Sequence, residues 1–235
     1  MAHPITIAHR GEPVRHRENT LGSFAAALGL GADWVEIDLR RTRDGEIVVL
    51  HDQSLARLWG VDASVGDVDW AEVARIGHGD VRIPTFAQVL EAVPVPLMVD
   101  FTRREVVPGA LDQVRAAGAL ERSLFVTGNV PALRQLRARS GEARIGLTWT
   151  DGEEAPLGLL EELGAEYWNP WFGLLSEAEA AAVHEAGRLV STWTVDEVPD
   201  MERVVACGAD AVVSNRVGTL VDFLRSRPQP CSDRP

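Results

Sequence analysis

The sequence contains no lysine, and its 23 strongly basic residues are all arginines. Catalysis through a lysine Schiff base, including pyridoxal-phosphate chemistry, and nucleotide binding through a Walker A loop all require a lysine amine. These classes of site are therefore excluded. Any anion that the protein binds must be held by arginine, histidine, backbone N–H groups or a metal ion.

The cysteine count, the lack of a long apolar segment and the negative net charge exclude further classes of protein. Two cysteines, Cys207 and Cys231, are too few for a disulfide framework or a cysteine-rich zinc site. No segment reaches the about 18 consecutive apolar residues of a transmembrane helix, and residues 1–11 do not resemble a secretory signal. The net charge of −12 argues against nucleic acid or an anionic membrane as a partner. We therefore expect a cytoplasmic protein without stable membrane insertion, and its oligomeric state is left open.

Short apolar runs alternate with helical patterns along most of the 235 residues. Strands are predicted at residues 5–8, 34–39, 97–101, 124–127, 144–149, 166–169, 189–194 and 211–214. Helices are predicted at residues 21–30, 106–117, 130–139, 156–163, 177–186, 199–207 and 218–225. Alternation of strand and helix indicates parallel strands with right-handed crossovers. Eight such units in about 225 residues predict a (β/α)₈ TIM barrel.

A doubly wound open sheet is the alternative fold. It usually carries a glycine-rich phosphate turn after its first strand, and the turn here is His9-Arg10-Gly11. One region interrupts the alternation, because Arg43-Asp44-Gly45 marks a hairpin turn and residues 52–84 show no clear strand. We therefore predict one barrel domain over residues 1–225, with a small insertion after the second strand. The polar, proline-rich residues 226–235 are expected to be a disordered tail.

Three carboxylates are predicted to meet at the carboxyl ends of the strands, where the chemistry of such barrels lies. Glu36 and Asp38 are two residues apart on one strand and therefore point to the same face. Asp100 stands at a similar height on the next strand. Three convergent oxygen donors suit Mg²⁺ or Ca²⁺, and without a cation they could not all stay ionised when buried. The alternative is a network of protonated or arginine-paired carboxylates.

Two histidines are predicted near these acids. His9 ends the first strand and His51 ends the second arm of the hairpin, so the pair could act as acid and base in one reaction. A structural role is the alternative for each, and their spacing matches no zinc motif. Arg10 could bind an anion through its guanidinium or form an ion pair with a neighbouring carboxylate. Trp193 ends a strand and could contact a substrate or fill the core.

Several ordered motifs resemble those of the glycerophosphodiester phosphodiesterase family. The N-terminal ones are the more specific, and the resemblance covers nearly all of residues 4–225. The motifs are Ile7-Ala8-His9-Arg10-Gly11, Glu18-Asn19-Thr20, Gly31-Ala32-Asp33 with Glu36 and Asp38, Thr42-Arg43-Asp44-Gly45, His51-Asp52, Trp193-Thr194-Val195, and Gly208-Ala209-Asp210 with Val212 and Val213.

The resemblance implies a (β/α)₈ barrel with a small insertion after the second strand. It also implies metal-dependent hydrolysis of glycerophosphodiesters to sn-glycerol 3-phosphate and an alcohol. By matching position, His9 and His51 would be the catalytic pair, Arg10 would contact the phosphate, and Glu36 and Asp38 would hold Mg²⁺ or Ca²⁺. The reaction could pass through a cyclic phosphate or through direct attack of water.

The sequence departs from the family pattern on its third strand. The usual run is Glu-Ile-Lys, and the matching run here is Asp100-Phe101-Thr102, so the third metal ligand is one methylene shorter and a lysine is missing. If nothing replaces that charge, Thr102→Lys should raise kcat/KM. If Arg103 or Arg104 supplies it, the same change should lower kcat/KM. After the last strand, Ser214-Asn215-Arg216-Val217 stands where Thr-Asp-x-Pro is usual.

Two other functions are left open by these departures. The chain could be another metal-dependent barrel phosphodiesterase or a phospholipase. It could also be a weakly catalytic barrel that binds phosphodiesters, which the residues Asp100 and Thr102 would explain. A turnover assay with Mg²⁺ or Ca²⁺ separates the binding barrel from the enzymes.

Overall fold

Eight parallel strands form a closed barrel in the computed structural model, which describes residues 3–79, 81–150, 152 and 154–227. Each strand pairs with the next along the chain, and the first pairs with both the second and the last. The (β/α)₈ prediction is confirmed, and the open doubly wound sheet is excluded. The strands are β1 (Ile5–Ala8), β2 (Trp34–Arg41), β3 (Leu97–Asp100), β4 (Ser123–Thr127), β5 (Arg144–Trp149), β6 (Tyr167–Pro170), β7 (Leu189–Thr192) and β8 (Ala211–Ser214).

Helices pack around the barrel. The seven that the sequence predicts end within one residue of their predicted bounds, whereas Phe86–Ala92 was not predicted. That helix begins at a capping box, in which Thr85 and Gln88 satisfy each other's backbone N–H groups. The helices are α1 (Leu21–Gly29), α2 (Phe86–Ala92), α3 (Val107–Ala116), α4 (Val130–Arg139), α5 (Leu157–Leu163), α6 (Glu177–Glu185), α7 (Val198–Ala206) and α8 (Val217–Ser226).

The chain leaves the barrel between β2 and β3. A strand at Ile47–Val49 pairs antiparallel with the end of β2, and the segment that follows packs around a small apolar core of its own. The Leu50 N–H donates to the Asp38 carbonyl at 2.9 Å, which fixes the next residue, His51, beside β2. The segment contains short helices at Ala56–Trp59 and Trp70–Val73, a 3₁₀ turn at Val65–Asp67, and two-residue strands at Gly77–His78 and Val81–Arg82.

Alternation along β2 separates two environments. Val35, Ile37 and Leu39 are fully buried in the layer between sheet and helices. Trp34 belongs to the apolar cluster inside the barrel, so Glu36 and the residues at the same parity after it also face inward. The interior is therefore apolar around Trp34, with the Arg144 guanidinium, ion-paired with Glu166, over its ring, and carboxylates lie at the carboxyl ends of the strands.

The predicted tail, residues 226–235, lies outside the described residues apart from Ser226, which ends α8, and Arg227. Cys231 is also outside them, and Cys207 is a half-buried thiol. None of the helices that the structure describes combines the length and the apolar character needed to span a bilayer.

Candidate active site

Three carboxylates converge at the carboxyl ends of β2 and β3. Asp38 and Asp100 lie opposite each other in the register of the two strands. Glu36 is two residues before Asp38 and therefore lies on the same face of β2. One oxygen atom from each of the three lies within 4.8 Å of the others. Glu36 and Asp38 are only 4% and 7% exposed. The predicted cluster is thus brought together by the barrel.

The electrostatics of this cluster favour a bound cation. Burial, and after it the charge of Asp38, raises the pKa of Asp100 to about 7. Burial and the Asp38 charge, in that order, also raise the pKa of Glu36 well above its ordinary value. Buried carboxylates that share a small volume need a positive charge to ionise together. Their oxygen donors fit a hard divalent cation such as Mg²⁺ or Ca²⁺.

The turn after β1 supports this cluster. Arg10 and Gly11 have φ angles of 56° and 84°. A Cβ atom on Gly11 would stand 2.7 Å from the backbone carbon of Ser23, so this position requires glycine. The turn directs the Arg10 backbone N–H to Glu36 Oε2 at 2.9 Å. A backbone donor therefore holds the deepest of the three acids.

The Arg10 guanidinium lies among carboxylates. Its Nε is 3.1 Å from Asp38 Oδ2, and its Nη1 donates to Glu18 Oε1 at 3.0 Å. Glu18 also accepts from Arg57 at 2.7 Å. The ion pair considered from the sequence is therefore present, and the phosphate contact of Arg10 stays a prediction.

Asn19 is a supporting residue that the sequence placed only within a motif. Its Nδ2 donates to Asp38 Oδ2 at 2.8 Å, and it is 2% exposed. Its φ of 58° is a left-handed conformation that asparagine tolerates better than most residues. The next residue, Thr20, caps α1 by accepting from the Ser23 N–H. Asn19 therefore orients one of the candidate metal ligands.

His9 is held by a chain of hydrogen bonds to residues that follow β8 and β7. Its Nδ1 is 2.8 Å from Asn215 Oδ1, and Asn215 Nδ2 donates to Asp196 Oδ2 at 2.8 Å. Because a carboxylate only accepts, the Asn215 amide nitrogen faces Asp196, and its oxygen accepts from His9 Nδ1–H. His9 Nε2 is then the free ring nitrogen, 3.9 Å from Glu36 Oε2. Burial, followed by the charge of Arg10, lowers the pKa of His9.

Asp196 was not among the predicted site residues. Its position directly after Trp193-Thr194-Val195, beyond the end of β7, was the available signal. The structure also explains why asparagine can stand at position 215, where the family usually has aspartate. The negative charge behind His9 is supplied by Asp196, one hydrogen bond further away.

His51 stands at the edge of the same site and has a carboxylate partner. Its Nδ1 is 2.7 Å from Asp52 Oδ1. The hydrogen bond from Arg57 is the largest cause that lowers the pKa of Asp52 to about 2. Asp52 is therefore ionised and must accept, so His51 Nδ1 carries the proton and Nε2 is free. The His51 side chain is 41% exposed.

Arg40 is a further site residue that sequence reasoning missed. It follows Asp38 at the same parity on β2, and its guanidinium donates to Thr102 Oγ1 and to the His51 carbonyl. The alternation that paired Glu36 with Asp38 extends to Arg40 and could have found it. A positive charge thus stands beside Thr102, but it comes from β2 rather than from Arg103 or Arg104.

Trp193 follows β7 and is half-buried. Its Nε1 donates to the Asn169 carbonyl at 3.0 Å, and its ring packs against the apolar cluster inside the barrel. These contacts fix the ring at the carboxyl end of the strands. Its contact with substrate stays a prediction.

The comparisons with known proteins cover nearly the whole chain. The model of the glycerophosphoryl diester phosphodiesterase family matches residues 9–219. A curated glycerophosphodiester phosphodiesterase of Caldanaerobacter subterraneus subsp. tengcongensis is 27% identical, over 94% of this chain and 98% of its own. The "Probable glycerophosphodiester phosphodiesterase 2" of Mycobacterium tuberculosis is 30% identical, over 95% and 91%. An Oleispira antarctica phosphodiesterase, solved in complex with the product sn-glycerol-3-phosphate, superposes with a TM-score of 0.89 at 24% identity, over 95% and 98%.

Proposed function

Because the chain belongs to the glycerophosphoryl diester phosphodiesterase family and is a phosphodiesterase, we propose that it hydrolyses glycerophosphodiesters to sn-glycerol 3-phosphate and an alcohol, with a divalent cation and two histidines. The observation that supports this most strongly is the convergence of Glu36, Asp38 and Asp100 beside His9. The bound product of the O. antarctica phosphodiesterase supports the identity of the product.

Glu36, Asp38 and Asp100 are the residues that would hold Mg²⁺ or Ca²⁺. When bound, such a cation would stabilise negative charge on the phosphate oxygens. Without it, three carboxylates would repel an anionic phosphodiester. The Arg10 backbone N–H and the Asn19 amide keep Glu36 and Asp38 in place for this role.

His9 and His51 divide the proton transfers between them. The glycerol hydroxyl next to the phosphate forms a bond to phosphorus, and the bond from phosphorus to the leaving oxygen breaks. One imidazole Nε2 accepts the hydroxyl proton, and the other imidazole protonates the leaving oxygen. Water then opens the cyclic phosphate with the two roles reversed. Direct attack of water on the diester would use the same two residues.

Arg40 supplies the fixed positive charge that the family's lysine would supply. Its guanidinium adjoins Thr102 and His51, and it has no carboxylate within 4.0 Å among the residues that the structure describes. It is therefore available to a phosphate oxygen as charge grows in the transition state.

Arg40→Gln should lower kcat/KM for a simple glycerophosphodiester about tenfold, since one charge-assisted contact is worth roughly 1–2 kcal/mol. Thr102→Lys in the wild-type background should also lower kcat/KM, because the new ammonium would meet the Arg40 guanidinium. In the Arg40→Gln background the same lysine should raise kcat/KM. Steady-state kinetics of the wild type, the two single variants and the double variant check this. A higher kcat/KM for Thr102→Lys alone would show that Arg40 does not replace the family's lysine.

Asn215→Ala should lower kcat about tenfold, because His9 Nδ1–H loses its acceptor at a cost of about 1–2 kcal/mol. Ser214→Ala is the matched control, since the Ser214 hydroxyl also donates to Asp196, at 3.1 Å, but makes no hydrogen bond to the His9 ring. Its backbone carbonyl, which accepts from the His9 N–H at 3.0 Å, is kept in this variant. Steady-state kinetics should show a much smaller change for the control. Equal losses in the two variants would remove Asn215 as a positioning residue.

The proposed function is tested by the release of sn-glycerol 3-phosphate from glycerophosphocholine and glycerophosphoglycerol, with Mg²⁺ or Ca²⁺. We expect turnover of these diesters. Turnover of lysophospholipids alone would indicate a phospholipase, and binding of diesters without turnover would indicate a weakly catalytic barrel.

A further inference from the structure

A cavity of about 280 Å³ opens beside the active site and has arginines in its wall. We name it the arginine cavity. Arg40, Arg41, Arg43 and Arg103 line it, with Glu105 as an acidic neighbour. A second cavity of about 500 Å³ shares the last two of these residues and extends the basic surface. Its wall also contains Thr102, Arg104, Asn129 and Pro131.

Most of these guanidinium groups are not neutralised by the protein. Arg43 is ion-paired with Asp69 at 2.8 Å. Arg41 and Arg103 have no carboxylate within 4.0 Å in the described part of the chain, and Arg103 donates only to the neutral Gln53, at 3.1 Å. In a chain of net charge −12, a cluster of uncompensated arginines is the arrangement expected of an anion-binding surface.

The arginine cavity adjoins the active site at one residue. Arg40 lines the cavity, and the same guanidinium donates to Thr102 and to the carbonyl of His51. The carboxylate cluster and His9 account for the glycerol phosphate part of the substrate. The leaving alcohol must extend away from that cluster. Because Arg40 contacts His51 and also lines the arginine cavity, an alcohol that extends past His51 reaches this cavity.

We propose that the arginine cavity binds an anionic group on the leaving alcohol, so that the preferred substrates are glycerophosphodiesters whose alcohol carries a phosphomonoester. Guanidinium groups bind phosphate through paired N–H donors. Arg103 and Arg41 are the residues that make this selection. The inference rests on the proposed function and names its substrate class.

The test compares two diesters that differ in one group. They are glycerophosphoglycerol and the same molecule with a phosphate on its distal glycerol. Wild-type protein should show a kcat/KM at least about tenfold higher for the phosphorylated diester. Arg103→Gln and Arg41→Gln should each reduce this ratio, and the double variant should bring it near one. The kcat/KM for glycerophosphoglycerol should change little.

Arg43→Gln is the matched control, because it removes the same charge from the same wall but from a guanidinium that Asp69 already holds. In this variant, the ratio of the kcat/KM values for the two diesters should stay close to that of the wild type. A second measurement needs no variant. At about 1 M ionic strength, where the Debye length falls to about 3 Å, the wild-type ratio should shrink.

Equal kcat/KM for the two diesters in the wild type would overturn this inference alone. So would a ratio that survives in the folded Arg103→Gln, Arg41→Gln double variant. Hydrolysis of neither diester with either cation would instead overturn the proposed function, and this inference with it.

Discussion

Replacing His9 or His51 by alanine should lower kcat for glycerophosphodiester hydrolysis by about 10²–10⁴-fold while the barrel stays folded. Each imidazole has its Nδ1 proton fixed by a hydrogen-bond acceptor, Asn215 or Asp52, and so presents Nε2 for proton transfer. Loss of either ring removes one of the two proton transfers that the reaction needs. Steady-state kinetics on both variants, with thermal unfolding to confirm the fold, measure the effect.

His184→Ala is the matched control for these variants. His184 also pairs with a carboxylate, Asp210 at 2.8 Å, but Asp210 precedes β8 and lies at the amino end of the strands. Its kcat should equal that of the wild type. Near-normal kcat in folded His9→Ala or His51→Ala would remove that residue from the catalytic pair.

Removal of divalent cations should abolish activity and lower Tm. The drop in Tm should become larger as the pH rises. The pKa of Asp100 is raised to about 7 in the metal-free fold, against an ordinary value near 4. The folded state therefore binds more protons than the unfolded state between about pH 4 and pH 7, so the free energy of unfolding of the metal-free protein falls as the pH rises through that window. A cation favours the ionised carboxylates and reverses this loss.

Thermal unfolding with Mg²⁺, with Ca²⁺ and with EDTA checks this prediction between pH 5 and pH 8. At a cation concentration 100 times Kd, the stabilisation is about 2.7 kcal/mol, or about 5–10 °C in Tm for a chain of this size. Glu36→Gln and Asp38→Asn should abolish activity and the cation-dependent rise in Tm. Glu36→Gln should also raise the Tm of the metal-free protein, because one repelling carboxylate is gone. An enzyme that works in EDTA would contradict the metal site.

The sequence predicts the barrel and its carboxylates because both follow from local periodicity. Alternation of strand and helix determines the order of the elements, and alternation within β2 and β3 places Glu36, Asp38 and Asp100 on one face. The same alternation along β2 also places Arg40 on this face, although Arg40 was not predicted as a site residue. The missed helix α2 had a local signal of its own in Thr85 and Gln88.

Contacts across the closure of the barrel could not be predicted in this way. The side chains of His9 and Asn215 are 206 positions apart and meet because β1 pairs with β8. The partner of Asn215, Asp196, comes from the loop after β7. Such contacts depend on the register of strands that are distant in sequence, and no local pattern encodes it. The roles of Arg10 and Trp193 toward the substrate, and the cytoplasmic location, stay predictions.

The metal-dependent reaction is tested by following glycerophosphoglycerol by ³¹P NMR during incubation with the purified protein, in parallel samples with Mg²⁺, with Ca²⁺ and with EDTA. With a divalent cation, we expect the diester signal to be replaced by that of sn-glycerol 3-phosphate; in EDTA, we expect the diester signal to persist. Asp100→Asn protein should leave the diester largely intact under all three conditions. Product formation in EDTA at the same rate, or an unchanged diester with both cations, would contradict the claim that the three carboxylates and two histidines form a metal-dependent phosphodiesterase site.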